Sequence, residues 1–267
     1  MITQIRKRDY TDWKGSARIF LCIALVVLCA AGAQAAYALN VSPTRIEIVV
    51  APSGGYENVL TVSNTQKGTL GITLRIEDWC TARAVPEAAN TAAHLPWLQV
   101  EPKEFELGEA EAREVSFKVA MPSAVKGELS AMIFVEARPR DIAKGAVAVN
   151  TSIGIPIYVT AKGTQRYGAE VEDLRATRSA PLELAVIIKN TGNVHIRPKG
   201  TILIRNRWGR CVAQTALNEY NYPVLPFSSR VIEVKTKDRL KRGDYKAEVR
   251  MGYADRTYSA KFLMRVD

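Results

Sequence analysis

One stretch of the chain, residues 147–159, alternates with a strict period of two. Its odd-numbered positions are all valine, threonine or isoleucine, which is the spacing of a β-strand with one apolar face. An average strand has only about 5–6 residues, so this stretch is long. Pro156 cannot donate a hydrogen bond to a sheet, so we expect a bulge or a sheet edge there. A long apolar edge invites pairing, and the pattern therefore predicts a strand that can pair with another chain.

The first 38 residues differ in composition from the rest of the chain. A basic head precedes an uncharged apolar run over Ile19–Ala31, and two candidate cleavage sites with small residues follow, Ala33–Ala35 and Ala36–Ala38. The run is shorter than the ~20 residues that a membrane-spanning helix needs. We therefore predict a cleaved signal peptide over residues 1–38 rather than a retained anchor, and a mature chain that is exported and does not span a membrane.

After residue 38, short apolar segments that suit strands are separated by turn residues, without sustained helical periodicity. Six to seven such segments per ~100–125 residues are typical of a β-sandwich. We therefore predict an all-β protein with two tandem immunoglobulin-like β-sandwich domains, over residues 39–164 and 165–267. A polar, alanine-rich excursion at Thr81–His94 suits either a short helix or a loop.

Charge is distributed unevenly between the two predicted domains. Residues 39–164 hold 12 Lys and Arg against 14 Asp and Glu, whereas residues 165–267 hold 20 against 11. The asymmetry supports two domains, and it indicates either a basic solvated surface or an acidic partner for the second one. Because the chain is predicted to be exported and lacks interleaved basic and aromatic residues, we expect no nucleic-acid partner.

The residue types that catalysis and metal binding need are sparse. The only histidines, His94 and His195, have no spacing that suggests a nucleophile with an oriented base, so we expect no enzyme, no cofactor and no metal site. Two cysteines remain after residue 38, Cys80 and Cys211. They are expected either to form a disulfide in an oxidising compartment or to be two isolated buried thiols.

Arg45 lies within the predicted first strand, Val41–Val50. It is interpreted either as a solvent-facing side chain or as a cationic anchor, since a guanidinium group binds a carboxylate through two parallel hydrogen bonds.

The predicted first domain resembles the N-terminal domain of the periplasmic pilus-assembly chaperones. The resemblance covers roughly residues 40–164 and follows the order of the chain. The segments that carry it are Val41–Ile46, Leu60–Asn64, Phe105–Glu109, Ala131–Val135 and the alternating stretch Val147–Val159. The second domain resembles only a generic immunoglobulin-like module.

This resemblance implies a chaperone that lends a strand to an incomplete subunit without using ATP. The donor positions would be Val147, Val149, Thr151 and Ile153, whereas Ile155, Ile157 and Val159 would continue into the domain's own core. Arg45 would bind the terminal carboxylate of the subunit. The implied partner is a pilus or surface-fibre subunit, with an outer-membrane usher as a further candidate, and the implied compartment is the periplasm.

The sequence departs from the family pattern at one position of the cleft. The family pairs its arginine with a lysine on the last strand of the first domain, where this chain has Ile155, Pro156 and Ile157. A competing hypothesis is a secreted structural or adhesive protein of the cell surface whose basic second domain binds an acidic envelope partner. An accessory domain of an exported enzyme is a third hypothesis.

Overall fold

The computed structural model of the protein describes residues 39–78, 95–141 and 148–266. These ranges contain 16 strands, and within them no helix is long and apolar enough to cross a membrane. The strands form two β-sandwiches, which confirms the predicted fold class. The predicted signal peptide and the polar excursion Thr81–His94 lie outside the described residues.

Nine strands build the first sandwich. They are β1 (Leu39–Ser42), β2 (Ile46–Val50), β3 (Gly55–Asn64), β4 (Leu70–Asp78), β5 (Leu98–Glu101), β6 (Glu104–Leu107), β7 (Ala112–Ala120), β8 (Glu128–Pro139) and β9 (Thr151–Ala161). One sheet has the order β1-β3-β7-β5 and the other the order β2-β9-β8-β4-β6. Neighbouring strands are antiparallel except β2 and β9, which are parallel.

Alternate side chains of each strand form the core of this sandwich, because successive side chains of a strand point to opposite faces of its sheet. In β8, residues 131, 133, 135 and 137 are buried, while those between them are partly exposed. On β9, Ile155, Ile157 and Val159 are also fully buried. These side chains join one hydrophobic core with the inward residues of the opposite sheet, such as Leu60 and Val115.

Seven strands build the second sandwich. They are β10 (Ala169–Ser179), β11 (Leu182–Asn190), β12 (Lys199–Arg205), β13 (Cys211–Leu217), β14 (Ser229–Lys235), β15 (Gly243–Tyr253) and β16 (Arg256–Val266). The two sheets have the orders β10-β11-β14 and β13-β12-β15-β16, and all their pairs are antiparallel.

Each sandwich has a separate hydrophobic core. The first core includes residues from Leu39 to Ala161, and the second includes residues from Leu174 to Val266. The domain limit predicted between residues 164 and 165 falls in the interval between these cores. The limit itself stays a prediction.

The first apolar segment is divided between the two sheets of the first sandwich. The prediction of one strand over Val41–Val50 is wrong, because β1 pairs with β3 in one sheet and β2 pairs with β9 in the other. Pro43 interrupts the segment, since a proline has no N–H group to donate to a sheet. Arg45 consequently lies just before β2 and not inside a strand.

The long alternating strand begins later than the sequence predicts. β9 starts at Thr151 rather than at Val147, which lies outside the described residues, and residues 148–150 belong to no strand. The predicted strand was too long because alternation shows only which side chains suit a strand. Forming a strand also requires a neighbouring strand with which its backbone can pair. The ladder between β8 and β9 ends at the pair of Ala137 with Thr151.

The cysteine prediction is wrong for one residue. Cys211 is a free and exposed thiol at the first position of β13, not a buried one. Because β13 is the outermost strand of its sheet, its first residue has no neighbouring strand on its outer side among the described residues. Cys80, the other half of the predicted alternative disulfide, lies outside the described residues.

Candidate functional site

The first half of β9 forms an open sheet edge. β8 pairs with β9 from Thr151 to Thr160, whereas β2 pairs with it only from Ile157 to Ala161. Across the part of the chain that the structure describes, the segment Thr151–Pro156 therefore has a neighbouring strand on one side only. Backbone N–H and C=O groups along such an edge can pair with an additional strand.

The edge is open because the chain changes sheets beside it. β2 begins at Ile46, opposite Ile157, and the residues before it lead away to β1 in the other sheet. A single longer strand would have continued along β9 and covered Thr151–Pro156. Pro156, the residue that led us to predict an edge or a bulge, is the last residue of this open segment.

The apolar face of β9 leaves the core gradually toward the start of the strand. Ile155 is fully buried, Ile153 is partly buried against the core, and Val149, ahead of the strand, is 69% exposed. Thr151 is half-buried on the same face. The predicted donor positions that the structure describes thus lie where this face emerges from the sandwich.

The opposite face of β9 borders a cleft between the two sandwiches, with a volume of about 520 Å³. Pro156 and Tyr158 of β9 form one wall together with neighbouring side chains of β8. The second sandwich forms the other wall. The described residues that line the cleft are Thr44, Arg45, Met132, Phe134, Pro156, Tyr158, Arg197, Tyr222, Pro223 and Arg230.

Arg45 lies at this cleft, next to the end of the open edge. Its Nε donates to Oε1 of Glu47 at 2.8 Å, and its side chain is 45% exposed. Because a guanidinium group has five N–H donors, a bond at Nε leaves the two terminal nitrogens able to bind an oxyanion. Lysine is absent from the described residues that line the cleft, in keeping with the departure noted in the sequence.

A group of charged side chains joins the two sandwiches beside the cleft, and we name Glu47, Glu128, His195 and Arg197 the interdomain brace. Nδ1 of His195 lies 2.6 Å from Oε2 of Glu128, whose side chain is only 1% exposed. Nε and Nη2 of Arg197 both lie 3.2 Å from Oε1 of Glu47. These contacts connect carboxylates of the first sandwich to cations or N–H donors of the second.

Two tyrosines adjoin the brace. The ring of Tyr158 stacks on His195 with centroids 4.0 Å apart, and burial raises the pKa of its hydroxyl. The hydroxyl of Tyr253 donates to the backbone oxygen of His195 at 3.2 Å, and burial raises its pKa to about 12. Both hydroxyl groups therefore stay protonated over the ordinary pH range. The Tyr158 ring packs against the second sandwich through His195, whereas Tyr253 packs on the core of the second sandwich itself.

Sequence reasoning placed Arg45 among the candidates but missed Arg197, Tyr222 and Arg230. Their spacing in the chain gives no motif, because they come from separate elements of the second sandwich. The available signal was the excess of Lys and Arg after residue 165, which showed that this half is basic without showing where. His195, considered as a catalytic candidate, contacts two carboxylates of the first sandwich. Within the described ranges, no group of three or more His, Cys, Asp or Glu could hold a metal ion.

No family model and no curated protein matches the chain. Among solved structures, it is similar to a chain of the complex between the Salmonella enterica SafA pilin and the SafB chaperone, with 12% identity and a TM-score of 0.50. That alignment covers 86% of this chain and 99% of the other. The E. coli chaperone DraB shares 17% identity at a TM-score of 0.48, covering 84% of this chain and 98% of DraB.

The class 5 fimbriae chaperone CfaA shares 15% identity at a TM-score of 0.47, covering 85% of this chain and 98% of CfaA. Identities this low show the fold and not the activity. The SafA–SafB likeness, which spans nearly the whole matched chain, agrees with the resemblance noted in the sequence. The protein thus has the two-domain immunoglobulin-like fold of the pilus assembly chaperones.

Proposed function

We propose that the protein is a periplasmic chaperone that binds a pilus or surface-fibre subunit by lending it the open edge of β9. The observation that carries this proposal is that Thr151–Pro156 is paired on one side only, next to a cleft that contains Arg45. The partner is an immunoglobulin-like subunit that lacks one strand. An outer-membrane usher that takes over the subunit is a further expected partner.

Two kinds of contact would hold the partner. The backbone of Thr151–Pro156 supplies hydrogen bonds to an added strand, and alternate side chains fill the groove left by the missing strand. Val147, Val149, Thr151 and Ile153 are the proposed donor positions. No ATP is needed, because the free energy comes from strand pairing and from burial of apolar surface.

Arg45 determines the direction of the added strand in this proposal. A terminal carboxylate bound by Arg45 must lie at the Pro156 end of the open edge, where Arg45 lines the cleft. The partner strand would then end where β2 begins, and it would run parallel to β9 as β2 does. The arrangement extends the sheet by one strand without displacing any strand of the chaperone.

The test is a pair of double variants on opposite faces of the same segment. Val149→Asp with Ile153→Asp puts charge on the donor face, whereas Asn150→Asp with Ser152→Asp puts equal charge on the exposed face. Each variant is purified from the native envelope, bound proteins are identified by mass spectrometry, and folding is checked by thermal unfolding. We expect loss of the subunit only from the donor-face variant. Equal recovery of the subunit by both folded variants would refute strand donation.

The competing function, a cell-surface protein that binds an acidic envelope partner, is favoured by the basic excess of the second half. Part of that charge is balanced locally, since Lys189 lies 3.1 Å from Glu170 and Arg178 lies 3.1 Å from Glu183. The same purification distinguishes the two functions. Recovery with wall polymer or lipid, and without a small β-rich protein, would favour the surface protein.

A further inference from the structure

The cleft between the two sandwiches carries positive charge from both of them. Of the ten described residues that line its volume of about 520 Å³, three are arginines and none is Asp or Glu. Arg45 precedes β2, whereas Arg197 and Arg230 belong to the second sandwich. Like charges around one cavity disfavour one another and favour an anionic ligand. The lining therefore suits an anion that contacts both domains.

Arg197 is already engaged within the protein. Its Nε and Nη2 bind Glu47, its Nη1 donates to the backbone oxygen of Asn221 at 2.8 Å, and its side chain is only 12% exposed. A new ligand would have to break these bonds to use this guanidinium group fully. Arg197 is thus a structural link of the interdomain brace. Arg45 also contacts Glu47, through Nε, but its side chain is 45% exposed against 12% for Arg197, so Arg45 and Arg230 are the better candidates for binding a ligand.

Arg230 is oriented at the wall of the cleft by its neighbours. It lies on β14 opposite Ile188, its guanidinium carbon is 4.6 Å from the centre of the Tyr222 ring, and its Nη1 donates to the backbone oxygen of Pro223 at 2.9 Å. Tyr222 and Pro223 themselves line the cleft. A guanidinium group held in one plane in this way loses little conformational freedom when it binds a planar anion.

The apolar part of the lining indicates what is attached to the anion. Met132, Phe134 and Pro156 line the cleft on the side of the first sandwich, and Pro156 is also the last residue of the open edge. A strand that adds beside Thr151–Pro156 would therefore end at the cleft, with an apolar wall for its last side chain. A peptide with an apolar final residue and a free terminal carboxylate has the chemistry that this lining suits.

We propose that Arg230 of the second domain binds the terminal carboxylate of the partner strand together with Arg45 of the first. This inference rests on the proposed function, and it assigns to the second domain a direct part in recognising the partner. Arg230 supplies a second cation in a cleft whose described lining lacks a lysine. Binding at this site depends on both domains at once, because each contributes one guanidinium group.

The test compares two short peptides of alternating valine and threonine that differ only at the C terminus, one a free acid and the other an amide. Binding of each to the full mature chain is measured by fluorescence anisotropy. Because a charge-assisted hydrogen bond is stronger than a neutral one, the unchanged protein should bind the acid about tenfold more tightly. Arg230→Gln should reduce that difference to about threefold, because Arg45 remains, and leave the affinity for the amide unchanged.

Arg178→Gln is the matched control. Arg178 lies on β10 at the other end of the same sheet, opposite Glu183 and 3.1 Å from its carboxylate, and it does not line the cleft. This variant should keep the preference for the acid. Thermal unfolding of both variants verifies that each remains folded.

The outcomes separate this inference from the strand-donation proposal. If Arg230→Gln keeps the full preference for the acid, or weakens both peptides equally, the role of Arg230 is overturned while strand donation stands. If Ile153→Asp leaves the binding of both peptides unchanged, strand donation itself is contradicted. Failure of the unchanged protein to bind either peptide would count against both.

Discussion

The two halves of β9 share one alternating pattern but differ in their neighbours. Ile157–Ala161 is paired on both sides, by β8 and by β2, and its inward side chains are fully buried. Thr151–Pro156 is paired by β8 alone, and its apolar face becomes more exposed toward the start of the strand. The difference shows that one strand can stabilise its own domain with one half and present an edge with the other.

The strongest way to test this comparison is to place the same charge in each half. Ile157→Asp puts a carboxylate in a fully buried site of the core, and we expect it to cost more than about 4 kcal/mol of the free energy of unfolding. Ile153→Asp should cost clearly less, because that side chain is only partly buried. Urea unfolding followed by tryptophan fluorescence measures both, and equal losses would show that the two halves do not differ.

Removing the buried carboxylate of Glu128 tests how much the interdomain brace stabilises the contact between the second sandwich and the Ile157–Ala161 half of β9. Glu128 lies opposite Thr160 of β9 and contacts Nδ1 of His195. Glu128→Ala leaves that nitrogen without its partner in a side chain only 9% exposed, and we expect a loss of about 1–3 kcal/mol in the free energy of unfolding. Thermal and urea unfolding measure the change.

The control for Glu128 is Glu57→Ala, which breaks an exposed pair with Lys118 on the outside of the first sandwich. Exposed pairs contribute about 0–1 kcal/mol, so this variant should stay close to the unchanged protein. Similar losses from the two variants would mean that the interdomain brace stabilises the protein no more than a surface pair does.

Arg45 lies beside the boundary between the two halves of β9. The Arg45→Ala variant should change the affinity for a partner while leaving the free energy of unfolding nearly unchanged. The side chain is 45% exposed and its pair with Glu47 is partly solvated, so the variant should keep the free energy of unfolding within about 1 kcal/mol. If Arg45 binds the terminal carboxylate together with Arg230, the affinity for the acid peptide should fall about threefold, because Arg230 remains. Fluorescence anisotropy is the measurement, and an unchanged affinity would show that the carboxylate is held elsewhere.

The smallest expected effect is a pH dependence above pH 10. The pKa of Tyr253 is raised from 10.0 to about 12 by burial, and that of Tyr158 on β9 is raised as well. A raised pKa means that the unfolded chain releases the proton first. The contribution of these groups to stability is therefore complete below pH 10 and is lost as the pH rises to about 12.

Urea unfolding at several pH values from 8 upward tests this direction. Tyr253→Phe should reduce the fall in stability above pH 10, because phenylalanine has no proton to release. Tyr220→Phe, which alters a tyrosine that is 77% exposed, is the control and should leave the slope unchanged. If the free energy of unfolding falls equally steeply with pH in all three proteins, Tyr253 is not the source of the pH dependence.

The strands were largely predictable from the sequence because their alternation is local. Segments such as Leu70–Asp78 and Leu182–Asn190 carry the apolar residues at every second position that the sandwich buries. Local patterns do not record which strand pairs with which. For that reason the division of Val41–Val50 between two sheets, and the late start of β9 at Thr151, were visible only in the fold.

The cleft was less predictable for the same reason. Arg45 could be singled out from the resemblance, but Arg230 is 185 positions away in the chain and reaches the same cavity only when the two sandwiches meet. Nothing in its own neighbourhood, a strand of ordinary alternation, marks it as different from the other arginines of the basic second half.

The most direct test of the open edge is hydrogen exchange on the mature protein purified from its native envelope, with and without the partner that accompanies it. Lending the edge predicts that the backbone amides of Thr151–Ile155 that point away from β8 become protected in the complex, while those of Ile157–Ala161 are protected in both states. A partner that protects other surfaces and leaves Thr151–Ile155 unchanged would contradict strand donation, as would a protein that is recovered alone.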